Sequence, residues 1–162
     1  MARALIVGCG CRGRELGGEL LSRGWRVRGT SRSREGLDAI AAAGLESALA
    51  DPDRPGTILE LCGDVTALVW LLGSAAGDRE LLAAINGARL ERLLEKLVDT
   101  PVRGVLYETV GSVEPAILAE GSRIVQRAGL TWRMPVATLG EQRTESGWTA
   151  RAAESVSRLL GL

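Results

Sequence analysis

Ala4-Leu5-Ile6-Val7-Gly8-Cys9-Gly10-Cys11-Arg12-Gly13 decides how this chain is read. An apolar run enters a GxGxxG turn, and Leu16, Leu20 and Leu21 then recur at helical spacing. A second strand, Trp25-Arg26-Val27-Arg28-Gly29, delivers Thr30-Ser31-Arg32-Ser33-Arg34. Strand, glycine turn, helix and second strand in that order give the motif its required context. Gly8 permits the tight turn, Gly10 lets the backbone approach a diphosphate, and Gly13 lets helix and strand pack closely. The helix start offers free N–H groups and a partial positive charge. Cys9, Cys11 and Arg12 fill the variable positions of this loop. The stretch reads as a dinucleotide site.

The end of the second strand selects the dinucleotide. An acidic residue there would bind a ribose 2′-hydroxyl. The chain has Thr30 and Ser31, then Arg32 and Arg34. Guanidinium groups and hydroxyls suit a 2′-phosphate. The expected cofactor is therefore NADP(H), with Arg32 the main 2′-phosphate contact and Ser31 and Arg34 assisting. Arg12 is a further candidate for the phosphates.

Outward from this unit, strand and helix signals alternate over residues 1–162, which read as one domain. Strands are expected at about 3–8, 26–30, 45–50, 65–72, 102–110 and 130–137. Helices are expected at about 12–23, 34–43, 78–99, 114–128 and 147–160, with a short one begun by the Asp51-Pro52-Asp53-Arg54-Pro55 turn. Val65 to Leu72 is almost wholly apolar, as a central parallel strand covered on both faces would be. The pattern implies a single-domain Rossmann fold: a doubly wound parallel sheet of about six strands in three α/β/α layers. Ligands of such sheets bind at the carboxyl ends of the strands.

Composition narrows the chemistry. Twenty basic and twenty acidic residues cancel, so no nucleic acid or anionic membrane surface is expected as a partner. No apolar run approaches the roughly 20 residues of a membrane span. No leader pattern precedes the first strand, and a reducing cytoplasm is the expected location. The chain has no histidine, one lysine (Lys96) and one tyrosine (Tyr107). Histidine triads and histidine-ligated zinc are excluded. Acid–base work would fall to carboxylates, Tyr107, Lys96 or a cysteine. Cys9 and Cys11 lack partners for a metal site, although a helix start could make one of them reactive. Tyr107 reads as a core or interface residue, and Glu108 and Glu114 as carboxylates near the same strand end.

With the strand ends placed, the chain resembles the short-chain dehydrogenase/reductase superfamily, in its extended and atypical, epimerase/dehydratase-like branches. The likeness runs from residue 3 to about 137. Leu5 to Gly13 resembles the glycine motif and Val27 to Arg32 an NADP-type second strand. Asp51 sits where the family often has an aspartate near the adenine. Leu71-Leu72-Gly73 resembles the fourth strand end, which the resemblance places beside the nicotinamide ribose. Val105 to Val110 resembles the fifth strand, with Thr109 and Val110 where the family usually has two serines; Thr109 would then face the nicotinamide. Trp132-Arg133-Met134-Pro135 resembles the Arg-Pro ending of the sixth strand.

The departures are equally informative. The family's catalytic pair is a tyrosine with a lysine four positions later. Here Lys96 precedes Tyr107 by eleven residues, so that pair cannot form. Only about 25 residues follow the expected sixth strand, too few for the family's substrate subdomain. The primary expectation is an NADP(H)-binding protein that holds or senses the cofactor without standard redox catalysis. The alternative is a small NADPH-dependent oxidoreductase or epimerase-like enzyme acting on a small carbonyl substrate. A homo-oligomer is one way to complete its pocket.

Overall fold

The computed structural model describes residues 1–162. Six parallel strands form one sheet in the order β3-β2-β1-β4-β5-β6. They are β1 (Arg3–Val7), β2 (Arg26–Ser31), β3 (Glu46–Leu49), β4 (Ala67–Trp70), β5 (Gly104–Glu108) and β6 (Val136–Leu139). The helices are α1 (Cys11–Ser22), α2 (Arg34–Ala42), α3 (Pro55–Leu59), α4 (Arg79–Ile85), α5 (Ala88–Leu97), α6 (Pro115–Trp132) and α7 (Trp148–Leu159). This is the doubly wound Rossmann fold that the alternating signals imply. The order of strands reverses between β1 and β4, where a crevice opens at the carboxyl ends. No helix is long and apolar enough to cross a membrane.

The two-residue period of the strands divides the core. Leu5, Val7, Leu68, Trp70, Val105 and Tyr107 pack against α3, α4, α5 and α6. Ala4, Ile6, Val27, Ala67, Val69 and Leu106 pack against α1, α2 and α7. Successive side chains point to opposite faces, so apolar strands hold helices on both sides. All four residues of β4 are buried, as the continuous apolar run predicts.

Two elements differ from the sequence reading. The helix expected over 78–99 is two helices, broken at Asn86-Gly87. Asn86 is buried; its amide donates to Leu82 O at 2.9 Å and its Oδ1 accepts from Tyr107 Oη at 2.7 Å. Neither Asn nor Gly favours a helix interior, and the tyrosine holds the break in place.

The second difference is the end of α6, expected at about residue 128: the helix instead runs on past Gly129. A Cβ there would lie 2.8 Å from Val136 Cγ2 and 3.1 Å from Met134 O, so the glycine admits β6 against a helix that runs on to Trp132. Arg133, with φ 53°, makes the left-handed stop instead. Trp132-Arg133-Met134-Pro135 therefore precedes β6, at the end of the sheet opposite the crevice. Its likeness to a strand ending is corrected.

Candidate functional site

The glycine turn leaves β1 at the crevice. Gly8 has φ +86°, and a Cβ there would be 2.3 Å from Leu71 O, so only glycine fits between β1 and the end of β4. Gly13 faces inward: a Cβ would be 3.1 Å from Gly8 O and 3.4 Å from Ile6 Cγ2. Gly10 is different, because nothing lies within 4 Å of where its Cβ would be. Gly10 is also the N-cap of α1, and no side chain caps that helix start. The first-turn N–H groups and the positive end of the helix dipole thus border the open space over Gly10.

A cleft of about 310 Å³ lies along these strand ends. Gly8, Cys9, Gly10, Thr30, Ser31, Arg32 and Leu72 line it, seven of the residues expected at a site, with Arg14, Ser74 and Arg143 as additions. Asp51 lines a smaller hollow of about 50 Å³ alongside, shared with Arg32 and Leu72. Its carboxylate accepts the N–H of Asp53 at 2.9 Å, which holds the turn after β3. Ser31 Oγ accepts the N–H of Ser33, and Ser33 Oγ caps α2 through the N–H of Gly36. A side chain at Gly36 would collide with Ser31 Oγ, so Gly36 leaves room for this cluster of hydroxyls at the start of α2.

Other expected residues stand aside. Arg12 donates to Glu15 at 2.6 Å and does not line the cleft. Arg34 is exposed and is not among the lining residues. Cys11 is exposed at the first position of α1. The Cys9 thiol lies under the loop: its Sγ would be 2.5 Å from a Cβ at Gly29, so β2 needs glycine there. Burial pushes this thiol up to about 11, against the opposing influence of Arg14. Cys9 is therefore a buried thiol rather than an activated nucleophile. Thr109 turns to β6, with its hydroxyl donating to Leu139 O at 3.3 Å. Leu71 is buried in the core, and Gly73 donates to Glu108 Oε1 at 2.9 Å. Tyr107 points into the α4–α6 layer, where burial first and the neighbouring Glu108 second raise its phenol above the ordinary range.

Sequence reasoning missed Arg143, which lies after β6 in a polar stretch without a motif. Its Nε donates to Glu108 Oε2 at 2.8 Å and its Nη2 to Glu108 Oε1 at 2.7 Å. Nη2 also donates to Leu71 O at 3.0 Å. Glu108 is thus a paired, fully buried carboxylate rather than a free base. Arg14 has no motif to mark it beyond its place near the start of α1. Neither Arg14 nor Arg32 has a carboxylate partner, and no acidic side chain lines the main cleft.

A larger hollow, about 400 Å³, lies at the other end of the sheet between Val98, Trp132, Met134 and Leu160. Arg103 and Arg133 are its only charged lining residues, the rest being mainly apolar, and the carboxyl ends of α5, α6 and α7 meet there, so it has no helix start to offer a phosphate. The glycine-loop cleft is the better candidate for a phosphorylated ligand.

No family model matches the chain, and no curated protein matches it by sequence. Solved structures match its fold. The UDP-glucose 4-epimerase of Thermus thermophilus, in complex with NAD, superposes with a TM-score of 0.70 at 16% identity, covering 93% of this chain and 60% of that one. The Bacillus cereus UDP-glucuronic acid 4-epimerase, also with NAD, gives 0.68 at 14% identity, over 84% of this chain and 54% of that one. The Citrobacter sp. triphenylmethane reductase complexed with NADP(H) gives 0.62 at 19% identity, over 84% and 48%. The chain spans about half the length of the last two. These neighbours are epimerases and a reductase, and that finding overturns the primary expectation of a cofactor holder or sensor without redox catalysis.

Proposed function

We propose that the chain is an NADP(H)-dependent oxidoreductase or epimerase-like enzyme domain acting on a small carbonyl compound. One observation carries the reading: an uncapped helix start and two unpaired guanidinium groups, Arg14 and Arg32, converge on a cleft without acidic side chains. Two clustered phosphates and a 2′-phosphate are the ligand chemistry that such a site fits.

The residues divide the work by position. Gly8, Gly10 and the α1 N–H groups would hold the diphosphate, with Arg14 beside them. Thr30, Ser31 and Arg32 would hold the adenosine ribose and its phosphate, and Asp51 would border the adenine. When bound, the dinucleotide supplies hydride-transfer chemistry at its nicotinamide ring. Tyr107 is turned away and Glu108 is paired, so neither is placed to deliver a proton. Water reaching the open cleft would serve that purpose.

The fold neighbours, bound to NAD in two cases and to NADP(H) in one, support a dinucleotide. The choice of NADP rests on Arg32 and on the missing acid at the end of β2. Calorimetric titration of NADPH and NADH tests both, with tighter binding of NADPH expected. Equal affinities would remove the NADP assignment, and no binding of either would remove the site. NADPH oxidation with a panel of quinones, aldehydes and ketones tests turnover.

A further inference from the structure

Resting on that reading, we propose that Arg143 is the side chain that receives the nicotinamide half of the dinucleotide, donating to its oxygen atoms from the Nη1 amino group. Three of this guanidinium's five hydrogens are committed through Nε and Nη2, to Glu108 and to Leu71 O. Nη1 has no partner, and the side chain is 23% exposed where it lines the cleft. Glu108, at 0% exposure, gives the group its fixed plane. The guanidinium is therefore a preorganised donor at the cleft wall.

Topology sets which half of the ligand it meets. Arg32 follows β2, on one side of the glycine turn after β1. Arg143 is fastened to the ends of β4 and β5, on the other side. A ligand with its diphosphate over Gly10 and its 2′-phosphate at Arg32 must extend its far ribose and ring toward Arg143. Pairing with Glu108 cancels the net charge of Arg143, so what remains is directed hydrogen bonding. That suits ribose hydroxyls and a carboxamide oxygen rather than another phosphate.

The test compares NADP⁺ with adenosine 2′,5′-bisphosphate, which lacks the nicotinamide half. Both are titrated calorimetrically into wild type, Arg143→Gln and Arg143→Lys. Each substitution is expected to weaken NADP⁺ about tenfold or more, the worth of a charge-assisted hydrogen bond, and to leave the bisphosphate within about twofold. Arg143→Lys keeps a cation opposite Glu108 and serves where Arg143→Gln does not fold. A purely structural role would move both ligands together, because each is measured on the same protein. Equal weakening of both, or of neither, overturns the proposal. A wild type that binds neither ligand overturns the dinucleotide reading beneath it, whereas one that binds both with an unchanged ratio in the variants overturns only the role of Arg143.

Discussion

The Glu108 carboxylate and the Arg143 guanidinium form a two-pronged ion pair at 2.7 and 2.8 Å, joining the carboxyl end of β5 to the segment after β6. The pair also closes the end of β4, since Glu108 accepts from Gly73 N and Arg143 donates to Leu71 O. Removing Arg143 strands the buried Glu108 carboxylate, which costs roughly 3–5 kcal/mol, whereas removing Glu108 leaves Arg143 unpaired at the partly exposed cleft wall. Arg143→Met is expected to lower unfolding stability by that order and Glu108→Leu by less. The double variant should lose clearly less than the sum, because no charge is left unpaired. Urea unfolding of the four proteins checks this, and additive losses would contradict it.

Arg32 and Arg14 should separate by cofactor. Arg32→Ala is expected to weaken NADPH by about 1.5–3 kcal/mol, the range for hydrogen bonds to charged groups, and to leave NADH nearly unchanged. Arg14→Ala should weaken both alike, since on the proposed reading it would sit beside the diphosphate that they share. Loss of NADH binding in Arg32→Ala would place Arg32 elsewhere.

The three thiols should behave unequally. Cys9 and Cys62 are buried, and burial pushes both up to about 11. At pH 8 the thiolate is then about 0.1% of each. Iodoacetamide should add one label per native chain, at Cys11, and three after denaturation, read by mass spectrometry. Fast labelling of Cys9 in the folded protein would contradict its placement.

The same shifts predict alkaline weakening. Folding favours the protonated form of both thiols, so their contribution is complete below the unfolded value near 9 and is lost as pH rises toward about 11. The slope is up to about 1.4 kcal/mol per pH unit per thiol. Cys62→Ala should flatten the stability curve across that window, as followed by denaturant titration at several pH values.

Tyr107→Phe removes the donor to Asn86 Oδ1 and should cost about 1–3 kcal/mol of stability, since a buried acceptor is left unpaired. NADP⁺ affinity should stay within about twofold. A large loss of affinity without loss of stability would return this tyrosine to the cleft.

The glycine loop, the sheet and the Thr30-Ser31-Arg32 ending were legible in the sequence because each is a local demand. A positive φ at Gly8, a two-residue period and an apolar run are written in neighbouring residues. The break at Asn86-Gly87 was not legible, because it depends on Tyr107 reaching across from β5. Nor was the passage of α6 through Gly129, where what matters is the Cβ that would strike Val136. Arg12 and Arg14 could not be ranked from sequence, since a pairing with Glu15 decides between them.

Chain order alone therefore determined that a glycine-rich loop opens a parallel α/β sheet and that basic, not acidic, residues follow its second strand. Folding decided which arginines border the cleft, that the Cys9 thiol is shut beneath the loop, and that Glu108 is bound by Arg143 rather than free to act. The reason is distance along the backbone. Glu108 and Arg143 lie 35 residues apart, and only the parallel pairing of β5 with β6 brings their ends together.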